Sequence, residues 1–101
     1  MAIKLTLRTL IALNRGKYAK RIKKIVEPLV INDPQDAYLY AREVLEGRFP
    51  LGEPAIARNP NYSLYYARNV LNAPFLAGEE AILKSDWATM AYEDEFGVIE
   101  V

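Results

Sequence analysis

The chain has 101 residues and contains no cysteine and no histidine. Without cysteine there is no disulfide, which fits a reducing cytoplasm, and no thiolate nucleophile. Structural zinc sites are built mainly from cysteine and histidine, so that class of metal site lacks its ligands. Histidine is also the commonest general acid or base near neutral pH. The two serines, Ser63 and Ser85, have no imidazole to activate them. Long apolar runs are missing too: none approaches the roughly 18–20 residues of a bilayer-spanning helix. Lys4 and Arg8 interrupt the N-terminal apolar stretch, which is not the order of a signal peptide. No glycine-rich phosphate loop is present, since Gly52 and Gly78 stand alone in turns. Catalysis would have to run on carboxylates, Lys, Arg and Tyr, with Asp33/Asp36 and Glu43/Glu46 as the carboxylate pairs. Asp33 is already accounted for as a helix cap. This inventory predicts no enzyme, no cofactor and no membrane span.

What is present is a modest core and an uneven charge distribution. Hydrophobic residues make up 51% of the chain and charged residues 26%, which suits one domain over residues 1–101. The net charge is zero, yet the halves oppose each other. Residues 1–32 hold eight cations against Glu27 alone, a net of +7, and residues 33–101 hold five cations against twelve anions, a net of −7. Such a dipolar layout points to an electrostatically steered partner or to head-to-tail self-contact.

The second organising feature is an internal repeat of 26 residues. Asp33–Arg58 and Asn59–Lys84 are identical at eleven of 26 positions, where ordinary composition would give roughly one or two. The shared residues include Pro34/Pro60, Tyr40/Tyr66, Val44/Val70, Phe49/Phe75, Gly52/Gly78, Glu53/Glu79 and Ile56/Ile82. A partial third copy, 85–96, keeps Tyr92 in register and is followed by a tail, 97–101. An abbreviated copy lies within the basic N-terminal segment 1–32, where Glu27-Pro28-Leu29-Val30 echoes Glu53-Pro54-Ala55-Ile56.

Each unit reads as a long helix followed by a short one. Asp33, Asn59 and Ser85 are N-cap residues, and Pro34 and Pro60 occupy the first helical position. Gly47 is expected to end the first long helix as a left-handed cap, and Pro74 to break the second. Short helices should start near Glu53 and Glu79. Ala37, Ala41, Val44 and Leu45 fall on one stripe, as do Ser63, Ala67, Val70 and Leu71. Phe49, Phe75, Ile56 and Ile82 should plug the seam between long and short helices. Such units cannot bury their apolar faces alone, so the expected architecture is all-α, a short solenoid-like stack with capping helices at both ends. At the N-terminus, Leu5–Leu13 reads as helix ended by Gly16. Ile3, Leu5 and Leu7 also alternate as a strand would, and with Val98–Val101 they leave a pairing of the termini as the alternative.

The unit Tyr40-Ala41-Arg42-Glu43-Val44-Leu45-Glu46-Gly47-Arg48-Phe49-Pro50, followed by Gly52-Glu53-Pro54-Ala55-Ile56, resembles the short tandem helical repeats of large bacteriophages. The resemblance covers residues 33–96. The second copy departs from the pattern at Ala73-Pro74, and the third lacks the Phe-Pro turn and the short helix. The resemblance implies a helical repeat of phage origin, in the host cytoplasm, whose partner is a host factor or a component of a defence system. It brings no catalytic residue with it.

Three surfaces are candidates for function. Lys17, Lys20, Arg21 and Lys24 lie at helical spacing on one face, with Tyr18, Ile22 and Ile25 expected to pack inward. That face suits an acidic protein or, without sequence preference, a phosphate backbone. Its plain alternative is a solvated cap. Tyr40, Tyr66 and Tyr92 share one repeat position and should form a packed ladder with hydroxyls at the core edge. Tyr38, Tyr62 and Tyr65, with Arg42 and Arg68, would form an aromatic and cationic protein-binding face, with Leu39 and Leu64 also candidates for exposure. Glu79, Glu80, Glu93, Asp94 and Glu95 form an acidic end. It either imitates a nucleic-acid backbone or keeps the cap solvated, and its spacing matches no calcium loop. The expected function is a protein–protein interaction module, with nucleic-acid binding and self-assembly as alternatives.

Overall fold

The computed structural model describes residues 19–100, and every regular element among them is helical. The expected helix Leu5–Leu13, its stop at Gly16, the alternative strand at Ile3–Leu7, Lys17 and Tyr18 lie outside these residues, while Val98, Ile99 and Glu100 of the suggested terminal pairing are described and form no strand. Helix α1 spans Ala19–Val30. Helix α2, Pro34–Leu39, runs directly into a π-helical segment, Tyr40–Leu45. A 3-10 turn, Pro50–Gly52, leads into the short α3, Glu53–Ile56. The order then repeats: α4, Pro60–Tyr66, continues as a π-helical segment, Ala67–Leu71, and a 3-10 turn, Leu76–Gly78, precedes α5, Glu79–Ile82. Helix α6 spans Asp86–Phe96. No described helix is long and apolar enough to cross a membrane.

The starts follow the expected capping chemistry. The Asp33 carboxylate accepts the Asp36 N–H at 3.0 Å, the Asn59 amide oxygen accepts that of Tyr62 at 3.0 Å, and the Ser85 hydroxyl accepts that of Ala88 at 3.2 Å. Each satisfies one of the orphan donors of a first turn.

The ends differ from expectation. The left-handed residue after α2 is Glu46, at φ 52°, not Gly47, and its counterpart in the second unit is Asn72, at φ 51°. The cause is the widened last turn. Both Glu46 and Gly47 donate to the Ala41 carbonyl, and both Asn72 and Ala73 donate to that of Ala67. An i→i+5 closure takes in one more residue per turn than an α-helix. The chain therefore turns out of the helix one residue before Gly47 and two before Pro74. Helix α6 has no such widening and ends at Gly97, φ 97°.

The core lies along the predicted stripes except at their C-terminal ends, where Leu45, Val70 and Leu71 are only partly buried as the last turn widens. Ala37, Ala41 and Val44 of the first unit and Ser63 and Ala67 of the second are buried, as are Phe49, Phe75, Ile56 and Ile82. Val30 holds the register position of Ile56 and Ile82 and is likewise fully buried. The last turn of α1 thus takes the place of a short helix, fused to the helix before it. Its inward face is Val26 and Val30, with Glu27 turned toward α2. That orientation sends Ile25 outward: it is 65% exposed, contrary to the inward packing expected of it. The 3-10 turns press onto the long helices. A Cβ on Gly52 would lie 3.0 Å from that of Ala37, and one on Gly78 would lie 2.5 Å from the Ser63 hydroxyl.

Candidate functional site

The tyrosine ladder is the most regular polar feature of the molecule. Tyr40, Tyr66 and Tyr92 donate to Glu27, Glu53 and Glu79 at 2.7, 2.6 and 2.5 Å, each carboxylate 13 residues upstream. The Tyr66 and Tyr92 hydroxyls also accept the buried backbone N–H groups of Phe49 and Phe75, at 2.8 and 3.0 Å. Each long helix is thereby clasped to the turn preceding it. The rings pack on Phe49, Phe75 and Phe96 with centroids 4.9–5.0 Å apart. In the third unit, which lacks the Phe-Pro turn, Phe96 reaches the tyrosine from one further turn of α6. Burial and donation to a carboxylate raise all three hydroxyls above the ordinary phenol value and hold them protonated. The ladder is a structural clasp, buried from any substrate.

Glu53 shows how the clasp responds to pH. Burial pushes its carboxyl up, but hydrogen bonds from the Arg48 guanidinium, at 2.7 and 3.1 Å, and from Tyr66 outweigh this and hold it below the ordinary carboxylate value. A carboxylate depressed in the folded state stabilises it above the unfolded value, near 4.5, and that contribution is lost as pH falls through the folded value. Asp36 works the other way, since burial and then Asp33 raise it. Urea unfolding at pH 7 and pH 3 is therefore expected to show a smaller acid loss in Glu53→Gln than in the wild type, and a lower stability at pH 7. Equal acid losses would place the sensitivity elsewhere.

The aromatic candidates converge, but not as a flat exposed face. Tyr38 is only 4% exposed, a correction to its expected role as a surface contact, and its hydroxyl accepts from the Asn69 side chain at 2.8 Å. Tyr62 and Tyr65 lean on it, with ring centroids at 5.7 and 6.0 Å, and are themselves half-buried. Leu64, also a candidate for exposure, is fully buried. The strip continues from Tyr65 to Trp87, edge-on at 6.3 Å. Trp87 is 54% exposed and Met90, one turn on, 73%. Trp87, Met90, Ala91 and Asp94 line a shallow depression of about 360 Å³ on α6. Neither Trp87 nor Met90 was singled out from sequence. The signal was available, because Met90 stands in register with Tyr38 and Leu64.

The charged candidates scatter. Arg42 is exposed beside Glu43, 3.3 Å away, and Arg68 crosses to Glu95 on α6 at 3.1 Å. Lys24 is exposed on α1, and Lys20 and Arg21 precede it on the same helix. Of the acidic end, Glu79 is taken by Tyr92, Glu93 accepts the Ile99 N–H at 2.8 Å, and Glu95 faces Arg68. Glu80 and Asp94 are exposed. Among the described residues no three carboxylates converge to hold a metal ion. Two shallow grooves beside the short helices, of about 310 and 390 Å³, have linings displaced by one repeat: Leu51/Ala77, Ala55/Ala81 and Arg58/Lys84. No protein family, curated protein or solved structure matches this chain.

Proposed function

We propose that this chain is a short stack of helical repeats serving as a non-enzymatic protein–protein interaction module, phage-encoded and acting by occupying a surface of a host or defence-system protein. One observation carries the interaction reading. The aromatic strip Tyr62–Tyr65–Trp87 emerges from the core and ends in exposed Trp87 and Met90 beside Asp94. Contiguous exposed apolar side chains rimmed by charge mark contact surfaces. Tyrosine and tryptophan anchored from behind are the residues that dominate binding energy at such surfaces. The stack reading is supported by clasps, tilted Tyr–Phe ring pairs and grooves that recur at the 26-residue repeat. The phage origin rests on the resemblance of residues 33–96.

The test is capture from host lysate on the immobilised full chain, run with and without nuclease. One stoichiometric protein should be retained, and Trp87→Ala should weaken its binding by about tenfold or more. Capture that survives Trp87→Ala but is lost on charge reversal of Lys20, Arg21 and Lys24 would move the contact to α1. Capture abolished by nuclease would replace this reading with nucleic-acid binding through the basic helix.

A further inference from the structure

The 26-residue register says what the open face of α6 is. Tyr38, Leu64 and Met90 occupy one repeat position. Tyr38 is 4% exposed and Leu64 not at all, and the rings of Tyr62 and Tyr65 from the following unit lie against Tyr38. Met90 is 73% exposed. Residues 97–100 do not cover it. They turn instead toward Tyr92 and Phe96, where Ile99 is buried and its N–H is held by Glu93. Met90 therefore marks an inter-unit packing position of α6 on which none of the described residues lies, and Trp87, Ala91 and Asp94 flank it on the same face.

The register also says what charge should cover it. Asp94 shares its repeat position with Arg68, and Arg68 is the residue that crosses to Glu95 on the next helix, at 3.1 Å. At the open face the sign is reversed, so the complement is a helix bringing a cation and apolar side chains. This chain carries such a helix at its other end. On α1, Lys24 is exposed, and Ile25 and Leu29, one turn apart, are 65% and 53% exposed. We propose that the Trp87–Met90–Asp94 face of α6 docks the Lys24–Ile25–Leu29 face of α1 from a second copy, continuing the packing from molecule to molecule. Such a contact is heterologous, so copies add head to tail.

The proposal names an occupant for the face singled out above and rests on that face being a docking surface. It is tested on the purified full chain alone, by equilibrium sedimentation over rising concentration at low and high salt. The average mass should climb above the 11.5 kDa of one chain and fall back as salt screens the contact. Asp94→Lys and Lys24→Glu, both at exposed positions, should each weaken association by about tenfold or more. An equimolar mixture of the two should associate again, because each variant then offers the complement the other lacks. A constant monomer mass at all concentrations overturns the proposal, as does wild-type association by both variants or a mixture that stays monomeric. If self-association fails while a foreign protein is still captured through Trp87, the interaction reading stands and only the choice of occupant falls.

Discussion

Tyr66→Phe should lower the unfolding free energy by about 2–4 kcal/mol, although it removes a single oxygen atom. That oxygen accepts the buried Phe49 N–H at 2.8 Å and donates to Glu53 at 2.6 Å. Without it the amide has no partner in a place water does not reach, and an unsatisfied buried donor costs about 1–3 kcal/mol. The loss of a hydrogen bond to an ionised acceptor adds to this. For a chain of this size the melting temperature should fall on the order of 10–20 °C. The ladder supplies its own control. Tyr40 donates to Glu27, and among the described residues no backbone amide donates to its hydroxyl as Phe49 and Phe75 do to those of Tyr66 and Tyr92. Tyr40→Phe should therefore cost about half as much. Thermal melts followed by circular dichroism would give the ranking, and equal losses at Tyr40 and Tyr66 would show that the amide contacts add nothing.

The second large effect is expected at Gly78. Its φ is −95°, which alanine adopts without strain, so any loss comes from space alone. A Cβ there would sit 2.5 Å from the Ser63 hydroxyl, 2.7 Å from the Ser63 Cβ and 2.7 Å from the Phe75 ring. The hydroxyl is itself fixed by donating to the Ile56 carbonyl at 2.9 Å. Neither neighbour has room to yield, and forcing a methyl group into a packed site costs about 1–3 kcal/mol. Gly78→Ala should fall at the upper end of that range. Gly47→Ala is the matched control, since the nearest atom to its Cβ is a carbonyl oxygen 3.8 Å away. It should be neutral or stabilise by up to about 1 kcal/mol through the unfolded chain. Denaturant titrations of the two variants would separate packing from backbone freedom. A neutral Gly78→Ala would mean that the turn does not rest on α4.

The helical class, the caps and the buried stripes were all legible from residue spacing, because each depends on neighbours within one or two turns. Asp33, Asn59 and Ser85 cap as their side chains dictate. The tyrosine ladder was legible as a ladder, and its hydroxyl partners were not. Glu53 and Tyr66 are bonded across two helices, a relation that no local pattern encodes. The π-helical ends escaped for a related reason. An α-helix and a π-helix draw on the same residues, so residue spacing does not separate them. Ile25 was placed inward by the spacing of α1 alone, but the Glu27–Tyr40 bond sets the rotation of that helix. The candidate surface was half legible. Tyr62 and Tyr65 stand out in sequence as tyrosines at non-equivalent repeat positions and are half-buried, whereas Tyr38, expected beside them on the surface, is buried, because burial from a following unit leaves no local trace. Trp87 and Met90 were overlooked because α6 reads as a cap. Only the register, with Met90 set beside Tyr38 and Leu64, marks that helix as a face built for packing.

Trp87 is the only tryptophan in the chain and lies on the surface assigned to docking, so its fluorescence reports that surface without a label. Acrylamide quenching should be measured on the dilute chain and again on the associated state, whether self-associated or bound to a captured protein. The account predicts efficient quenching in the dilute chain, with marked protection and a blue-shifted emission on association. Association that leaves Trp87 as accessible as before would contradict it, because the contact would then lie on another part of the molecule.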